Sequence, residues 1–306
     1  MFVGFDTSNY TTSVAVLDDS NKIVQQKKIL QVKQGEKGLR QSDAVFQHTV
    51  NLPTLVDNID FVDIKGVGVS VRPRSIEGSY MPCFLVGKAV ATSVAKTNNV
   101  NLYETSHQIG HVLAALYSCN KLELVKDKFI AFHLSGGTTE ALLVEPDENE
   151  VIKATLVAKS NDLKAGQAID RAGVMLGMKF PCGKELDDLA KLSDKQFNIK
   201  PSMDGLNCSL SGVENKAKRM FDNKEKSADI AKFVLTYIAK TVEAMLFNVI
   251  VEYGDMPILF SGGVSSNSLL RNTILSKFDA FFADPIFSCD NAAGLAVYAK
   301  LKHGRD

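Results

Sequence analysis

No two cysteines stand in a C-x-x-C pair, and the five present (Cys83, Cys119, Cys182, Cys208, Cys289) are odd in number. Both facts argue against a disulfide framework and against a cysteine-rich zinc knuckle. An excess of one charge is missing too: 35 Lys and Arg face 35 Asp and Glu. Binding of nucleic acid by bulk charge is therefore not expected, although a local basic patch stays open. No run of about 18 apolar residues occurs, so nothing is expected to span a membrane. The opening MFVGFDTSNY has neither the basic start nor the long apolar core of a secretory leader. These absences predict a cytoplasmic chain. At 306 residues, 45% hydrophobic and 23% charged, it is long enough for about two domains with sizeable cores.

What is there begins with a strand, a turn and a strand. Phe2–Phe5 and Ser13–Leu17 are apolar and β-branched, and Asp6-Thr7-Ser8-Asn9-Tyr10-Thr11-Thr12 between them is rich in hydroxyls. Ile23–Leu30 predicts a third strand. The same design returns at 130–144, where Ser135, Thr138 and Thr139 superpose on Ser8, Thr11 and Thr12 at an offset of 127 residues. The repeat predicts a duplicated α/β chain divided at 127/128, with the last helix, about 290–303, packing back on the first lobe. The acidic turns after the second strand of each copy are expected at Asp18-Asp19 and Glu145-Pro146-Asp147. Gly66–Val71 and Pro257–Phe260 read as buried strands. Ala228–Glu252 reads as a long amphipathic helix, with Phe233, Tyr237, Ile238, Met245, Leu246 and Val249 inward and Lys232, Lys240 and Glu243 elsewhere. Leu85–Lys96 and Asn291–Leu301 read as alanine-rich helices.

Three clusters could do chemistry. His107 and His111 stand at i and i+4, so one helical face carries both imidazoles toward a shared metal. The plainer alternative is two unrelated surface histidines. Gln108 follows the first histidine, so the glutamate base of an H-E-x-x-H protease is lacking. Ser135-Gly136-Gly137 and Ser261-Gly262-Gly263 each end an apolar strand, where glycine lets backbone N–H groups approach a phosphate; ordinary turns look the same. Asp170 and Asp187 could accept from ribose hydroxyls or simply be solvated helix residues. Asp290 could cap the last helix or complete a two-histidine, one-carboxylate site.

In order along nearly the whole chain, these motifs resemble the tRNA threonylcarbamoyladenosine synthase family, of ASKHA (actin/Hsp70/RNase H-like) fold, formerly called O-sialoglycoprotein endopeptidase or peptidase M22. The residues that carry the resemblance are His107-x-x-Gly110-His111, Leu134-Ser135-Gly136-Gly137 and Gly166-Gln167-Ala168-Ile169-Asp170. Gly183 with Asp187, Ser209-Leu210-Ser211-Gly212, Gly262-Gly263-Val264-Ser265-Ser266-Asn267 and Asp290-Asn291-Ala292-Ala293 complete the set. The resemblance implies a duplicated two-lobe fold and one divalent metal, Fe or Zn, on His107, His111 and Asp290. It implies adenine nucleotide or acyl-adenylate contacts from His133, Leu134, Ser135, Gly136, Gly137, Asp170, Gly183, Asp187 and Asn267. It also implies transfer of a threonylcarbamoyl group to adenosine in tRNA, with tRNA reached through partner proteins and a homo- or heterodimer with a related ASKHA chain. Asp6, in the opening turn, is the nearest candidate for a general base.

The chain departs from the family pattern at several points. Tyr10 and Thr11 replace an acidic pair, Arg72-Pro73-Arg74-Ser75 replaces a Gly-Pro-Gly-Leu stretch, and Thr138 stands at a usual histidine. Cys182-Gly183-Lys184 replaces paired glycines and a proline. These changes point to a divergent paralogue. They also keep two alternatives in view, a carbamoyltransferase with another acceptor and an inactive nucleotide-binding scaffold.

Overall fold

Alternation along two short strands decides how the first unit packs. In β1 (Phe2–Asp6) Val3 and Phe5 point to one face and Gly4 to the other. The computed structural model describes residues 1–8, 10–32, 39–288, 290 and 292–305. Asn9 of the opening turn, and Cys289 and Asn291 beside Asp290, lie outside the described residues. The chain divides into two units by its internal contacts.

The first unit comprises Met1–Asp127, Glu145–Ala154 and Ile286–Asp306. After β1 come β2 (Thr11–Leu17), β3 (Ile23–Ile29), α1 (Gln41–Val56), β4 (Gly66–Arg72), α2 (Phe84–Thr97), β5 (Asn101–Ser106) and α3 (His107–Ser118). The sheet order is β3-β2-β1-β4-β5, with β1–β2–β3 antiparallel and β1–β4–β5 parallel. Val3, Phe5, Val67 and Val69 join Leu52 and Leu55 of α1 and Ala91 and Ala95 of α2 in one core. At the centre of the opposite face Gly4, Gly68 and Ala15 lie side by side, and these small residues admit a helix at very close range. A Cβ on Gly68 would lie 2.1 Å from the Leu295 carbonyl oxygen, so only glycine permits that approach.

The second unit comprises Lys128–Val144 and Thr155–Pro285. It holds β6 (Phe129–Leu134) and most of β7 (Thr139–Asp147) and β8 (Val151–Lys159), then α4 (Ala165–Met175) and α5 (Gly183–Ala190). A small hairpin follows, β9 (Ser202–Asp204) with β10 (Asn207–Ser209). The unit continues with α6 (Ser211–Asp222), α7 (Ser227–Tyr253), β11 (Ile258–Ser261), α8 (Ser268–Leu275) and β12 (Ala280–Phe282). The order β12-β11-β6-β7-β8 repeats the first sheet with β6 in the place of β1. The register repeats as well: Phe5 pairs with Val14, and Phe132 pairs with Ala141. All six apolar residues expected inward on α7 are buried. This 27-residue helix is long and apolar enough, by length and composition alone, to cross a membrane, but 56% of its most apolar window is buried against the unit's own core. The last helix, α9 (Ala293–His303), belongs to the first unit and packs on α3, β1 and β4.

Two local expectations are corrected. Glu145-Pro146-Asp147 is not a turn; β7 runs through it, and the turn falls at 148–150, where the Asp147 carboxylate accepts the Asn149 and Glu150 N–H groups. Helix α9 starts at Ala293 with Ala292 at its N-cap, so Asp290 does not cap it.

Candidate metal centre and nucleotide pocket

Ser106 ends β5 and caps α3: its hydroxyl accepts the Ile109 N–H at 3.3 Å, which sets His107 at the first helical position and His111 one turn on. Ile109, Val112 and Leu113 are buried by the same helix. Helix α9 lies so close to α3 that a Cβ on Gly294 would fall 1.8 Å from the Gly110 carbonyl oxygen. Asp290, shortly before α9, lies against the histidine face. His111 Nε2 is 2.9 Å from His107 Nε2 and 3.0 Å from Asp290 Oδ1, and His107 Nε2 is 3.4 Å from the same oxygen. One ligand atom from each residue thus lies within 4.8 Å of the other two.

Behind this triad sits Asp6, fully buried at the end of β1. Its Oδ2 is 3.0 Å from His107 Nδ1 and accepts from the Ser8 hydroxyl at 2.9 Å, while its Oδ1 accepts from the Ser70 hydroxyl. Once the ring is neutral, as metal coordination requires, the carboxylate on Nδ1 fixes that nitrogen as the N–H and leaves the Nε2 lone pair toward His111 and Asp290. Burial works against a charged imidazole, yet Asp6 and Asp290 outweigh it and raise His107 to about 10. Burial likewise opposes the Asp290 carboxylate, and hydrogen bonds from His107 and His111 still hold it well below the usual range. Asp6 is lowered against its burial by His107 and Ser70. The buried Asp6 and the partly buried Asp290 thereby call for positive charge where the three ligand atoms meet, and two nitrogens with one oxygen suit a divalent transition metal.

Around Asp6 two more hydroxyls of the opening turn are also engaged. Thr7 donates to the Cys83 carbonyl, and Thr12 Oγ1 lies 2.8 Å from Nδ1 of the buried His48. Burial lowers His48 to about 4, although Asp6 pulls the other way. Arg72 and Ser75, which stand in the altered stretch after β4, both bond to Glu150.

The second unit carries a pocket of about 560 Å³. Of the residues expected to contact nucleotide, Gly136, Asp170, Gly183, Asp187 and Asn267 line it. Ile169, Phe180, Pro181 and Val264 supply an apolar wall that sequence reasoning missed, and Lys184 adds a cation. The close spacing of Gly166 and Gly136 at its rim is tight: a Cβ on Gly166 would meet the Gly136 nitrogen at 2.6 Å.

The remaining expected contacts are placed differently. Leu134 is fully buried in the core, so its side chain is not a pocket residue. The Ser135 hydroxyl accepts the Thr138 N–H at 3.1 Å and closes its own turn. His133 Nδ1 lies 3.0 Å from the Ser261 hydroxyl, and neither His133 nor Gly137 lines the pocket. Asp187 is saturated: Asn267 Nδ2 donates to it at 2.6 Å, the Ser268 hydroxyl at 3.0 Å, and Lys191 pairs with it at 3.3 Å. Asp170 accepts the Cys182 N–H on Oδ1 at 2.9 Å.

Two duplicated β3α sheets, one with a nucleotide-sized pocket, define the class: the ASKHA fold. Component A of (R)-2-hydroxyglutaryl-CoA dehydratase from Acidaminococcus fermentans shares this fold at a TM-score of 0.59 and 15% identity, covering 99% of this chain and 98% of that one. A ROK-family glucokinase from Streptomyces griseus does so at 0.54 and 12% identity, covering 98% of each. The family model for TsaD, tRNA N6-adenosine threonylcarbamoyltransferase, matches residues 21–297, and this chain belongs to that family. A relative of that name from Ligilactobacillus salivarius strain UCC118 is 28% identical, covering 99% of this chain and 92% of its own length. Another from Thermosipho africanus strain TCF52B is 30% identical, covering 99% and 94%.

Proposed function

We propose that the chain carries out the reaction named for its family: transfer of a threonylcarbamoyl group from an acyl-adenylate to N6 of adenosine in tRNA. The observation that carries the reading is the convergence of His107, His111 and Asp290, backed by the buried Asp6, in a chain that matches the family along most of its length. His107 and His111, through Nε2, and Asp290, through a carboxylate oxygen, would hold one divalent metal, Fe or Zn. When bound, that ion supplies a Lewis acid for the donor.

The chain's own residues do the rest. Asp6 has both oxygens occupied and no exposure, which favours a positioning role on His107 over that of general base. In the second unit, Ile169, Phe180 and Val264 suit an adenine face, and Asp170 suits a ribose hydroxyl. Backbone N–H groups near Gly136 and Gly263 suit phosphate. In the transfer a C–N bond forms between N6 and the carbonyl carbon, the carbonyl C–O bond to phosphate breaks, AMP leaves, and N6 gives up a proton. The zero net charge supports recruitment of tRNA through partner proteins. Phe46 and Val50 of α1 and Leu85 of α2, all exposed, support a homo- or heterodimer with a related chain.

The test is incubation of the metal-replete chain with threonylcarbamoyl-adenylate and unmodified tRNA, with and without partner proteins. Digestion to nucleosides should release N6-threonylcarbamoyladenosine. Consumption of the adenylate with no modified adenosine, under every partner condition, would move the acceptor away from tRNA.

A further inference from the structure

We infer that the second unit carries a separate pocket for a small, multiply charged oxyanion of the pyrophosphate type. A cavity of about 430 Å³ opens among α5, α7 and α8, and Lys191, Lys232 and Lys240 line it with Ser268 and Asn272. Asp187 is the only acid in its lining. Lys232 and Lys240 are eight residues apart on α7 and so share one helical face. Lys191 reaches in from the C-terminal end of α5. Three lysines thus border one concavity with a single acid, and an oxyanion with two or more charges would take charge-assisted hydrogen bonds from ammonium groups that turn into it.

The lysines are available at low cost. Lys232 has no ion-pair partner among the described residues. Lys191 is held by Asp187 at 3.3 Å and Asp188 at 2.9 Å, and Lys240 by Glu243 at 2.8 Å. These lysines are about half and two-fifths exposed, so the pairs are weak. Turning either lysine to an anion strands no carboxylate. Glu243 keeps Lys277, and Asp187 keeps Asn267 and Ser268. The size and concavity of the site favour a free oxyanion over an RNA backbone.

Asp187 also lines the larger pocket beside it. An anion that recruits Lys191 releases acceptor capacity on Asp187 Oδ2, which a neutral nucleoside in that larger pocket can use. The anion should therefore tighten nucleoside binding, and the nucleoside should tighten anion binding by the same factor. This coupling rests on the reading of the larger pocket as a nucleoside site; the anion site itself does not.

Titration calorimetry of the full chain with inorganic pyrophosphate, at fixed ionic strength and with metal content checked before and after, tests the site. Wild type should bind. Lys232→Ala should weaken binding roughly tenfold, Lys232→Arg should retain most of it, and both variants should bind adenosine alone as wild type does. In wild type, saturating pyrophosphate should tighten adenosine binding by about fivefold. Pyrophosphate binding that depends on Lys232 in a protein indifferent to adenosine would uphold the anion site and remove only the nucleoside reading. No pyrophosphate binding by wild type, or equal binding by Lys232→Ala, would overturn the proposal. So would a Lys232→Ala variant that loses affinity for unmodified tRNA but not for pyrophosphate.

Discussion

Asp6 Oδ2 lies 3.0 Å from Nδ1 of His107, while Nε2 of the same ring faces His111 and Asp290. The ring is thus oriented from behind by a carboxylate that is itself held by Ser8 and Ser70. Asp6→Asn keeps the shape but removes the charge that fixes the tautomer. Metal affinity should fall by about 10- to 100-fold, read by competition with a chelating indicator. Unchanged affinity would make Asp6 a bystander.

Metal content itself is the next expectation. Protein purified without an affinity tag should carry up to one Fe or Zn per chain by mass spectrometry. His107→Ala, His111→Ala and Asp290→Ala should each carry much less, since each removes one of three ligand atoms. A wild type that stays empty after reconstitution with Fe²⁺ and Zn²⁺ would remove the metal centre.

The two acids of the nucleotide pocket should separate. Asp170→Ala should weaken adenosine or AMP binding by about 1–3 kcal/mol, if its carboxylate takes a ribose hydroxyl, and should cost less stability than Asp187→Ala because it leaves only one donor, the Cys182 N–H, without its acceptor. Asp187→Ala takes the acceptor from Asn267 and Ser268, so it should weaken binding and also destabilise the fold by about 1–3 kcal/mol. Calorimetry beside urea unfolding distinguishes them. Equal loss of stability in both variants would contradict the division of roles.

His48 gives the fold a pH dependence. Burial lowers it to about 4 from an ordinary value of 6.5, so the unfolded chain takes up a proton that the folded chain refuses. Its contribution is complete above about 6.5 and is lost as pH falls toward 4, by up to about 3 kcal/mol. His48→Gln should flatten the urea midpoint across that window. A wild-type midpoint already flat between pH 6.5 and 4 would contradict the assignment.

Much of the fold was legible because strand alternation is a local signal and the same local pattern recurs 127 residues on, and the two sheets share order and register. The His107–His111 pair was legible from i, i+4 spacing. Asp290 came through the resemblance, because nothing local to it distinguishes a ligand from a cap. The bond from Asp6 to His107 spans 101 residues, and no spacing rule reaches that far. The burial of the Leu134 side chain was not legible from its motif, because a motif names consecutive residues while a strand turns alternate side chains inward. Asp187 was read as an open acceptor; its saturation by Asn267, Ser268 and Lys191 depends on α5 and α8 both packing on α7. Ile169, Phe180 and Val264 carried no signal, since apolar residues on helices and turns look alike whether they face a core or a ligand.

The measurement closest to the central claim is N6-threonylcarbamoyladenosine formed by wild type and by Asp290→Ala from threonylcarbamoyl-adenylate and unmodified tRNA, with partner proteins present and metal supplied to both. Wild type should form the modified nucleoside, and Asp290→Ala, which lacks one ligand of the triad, should form it at least about 100-fold more slowly. Equal rates in the two proteins, or no product from a wild type with its metal restored, would contradict the account.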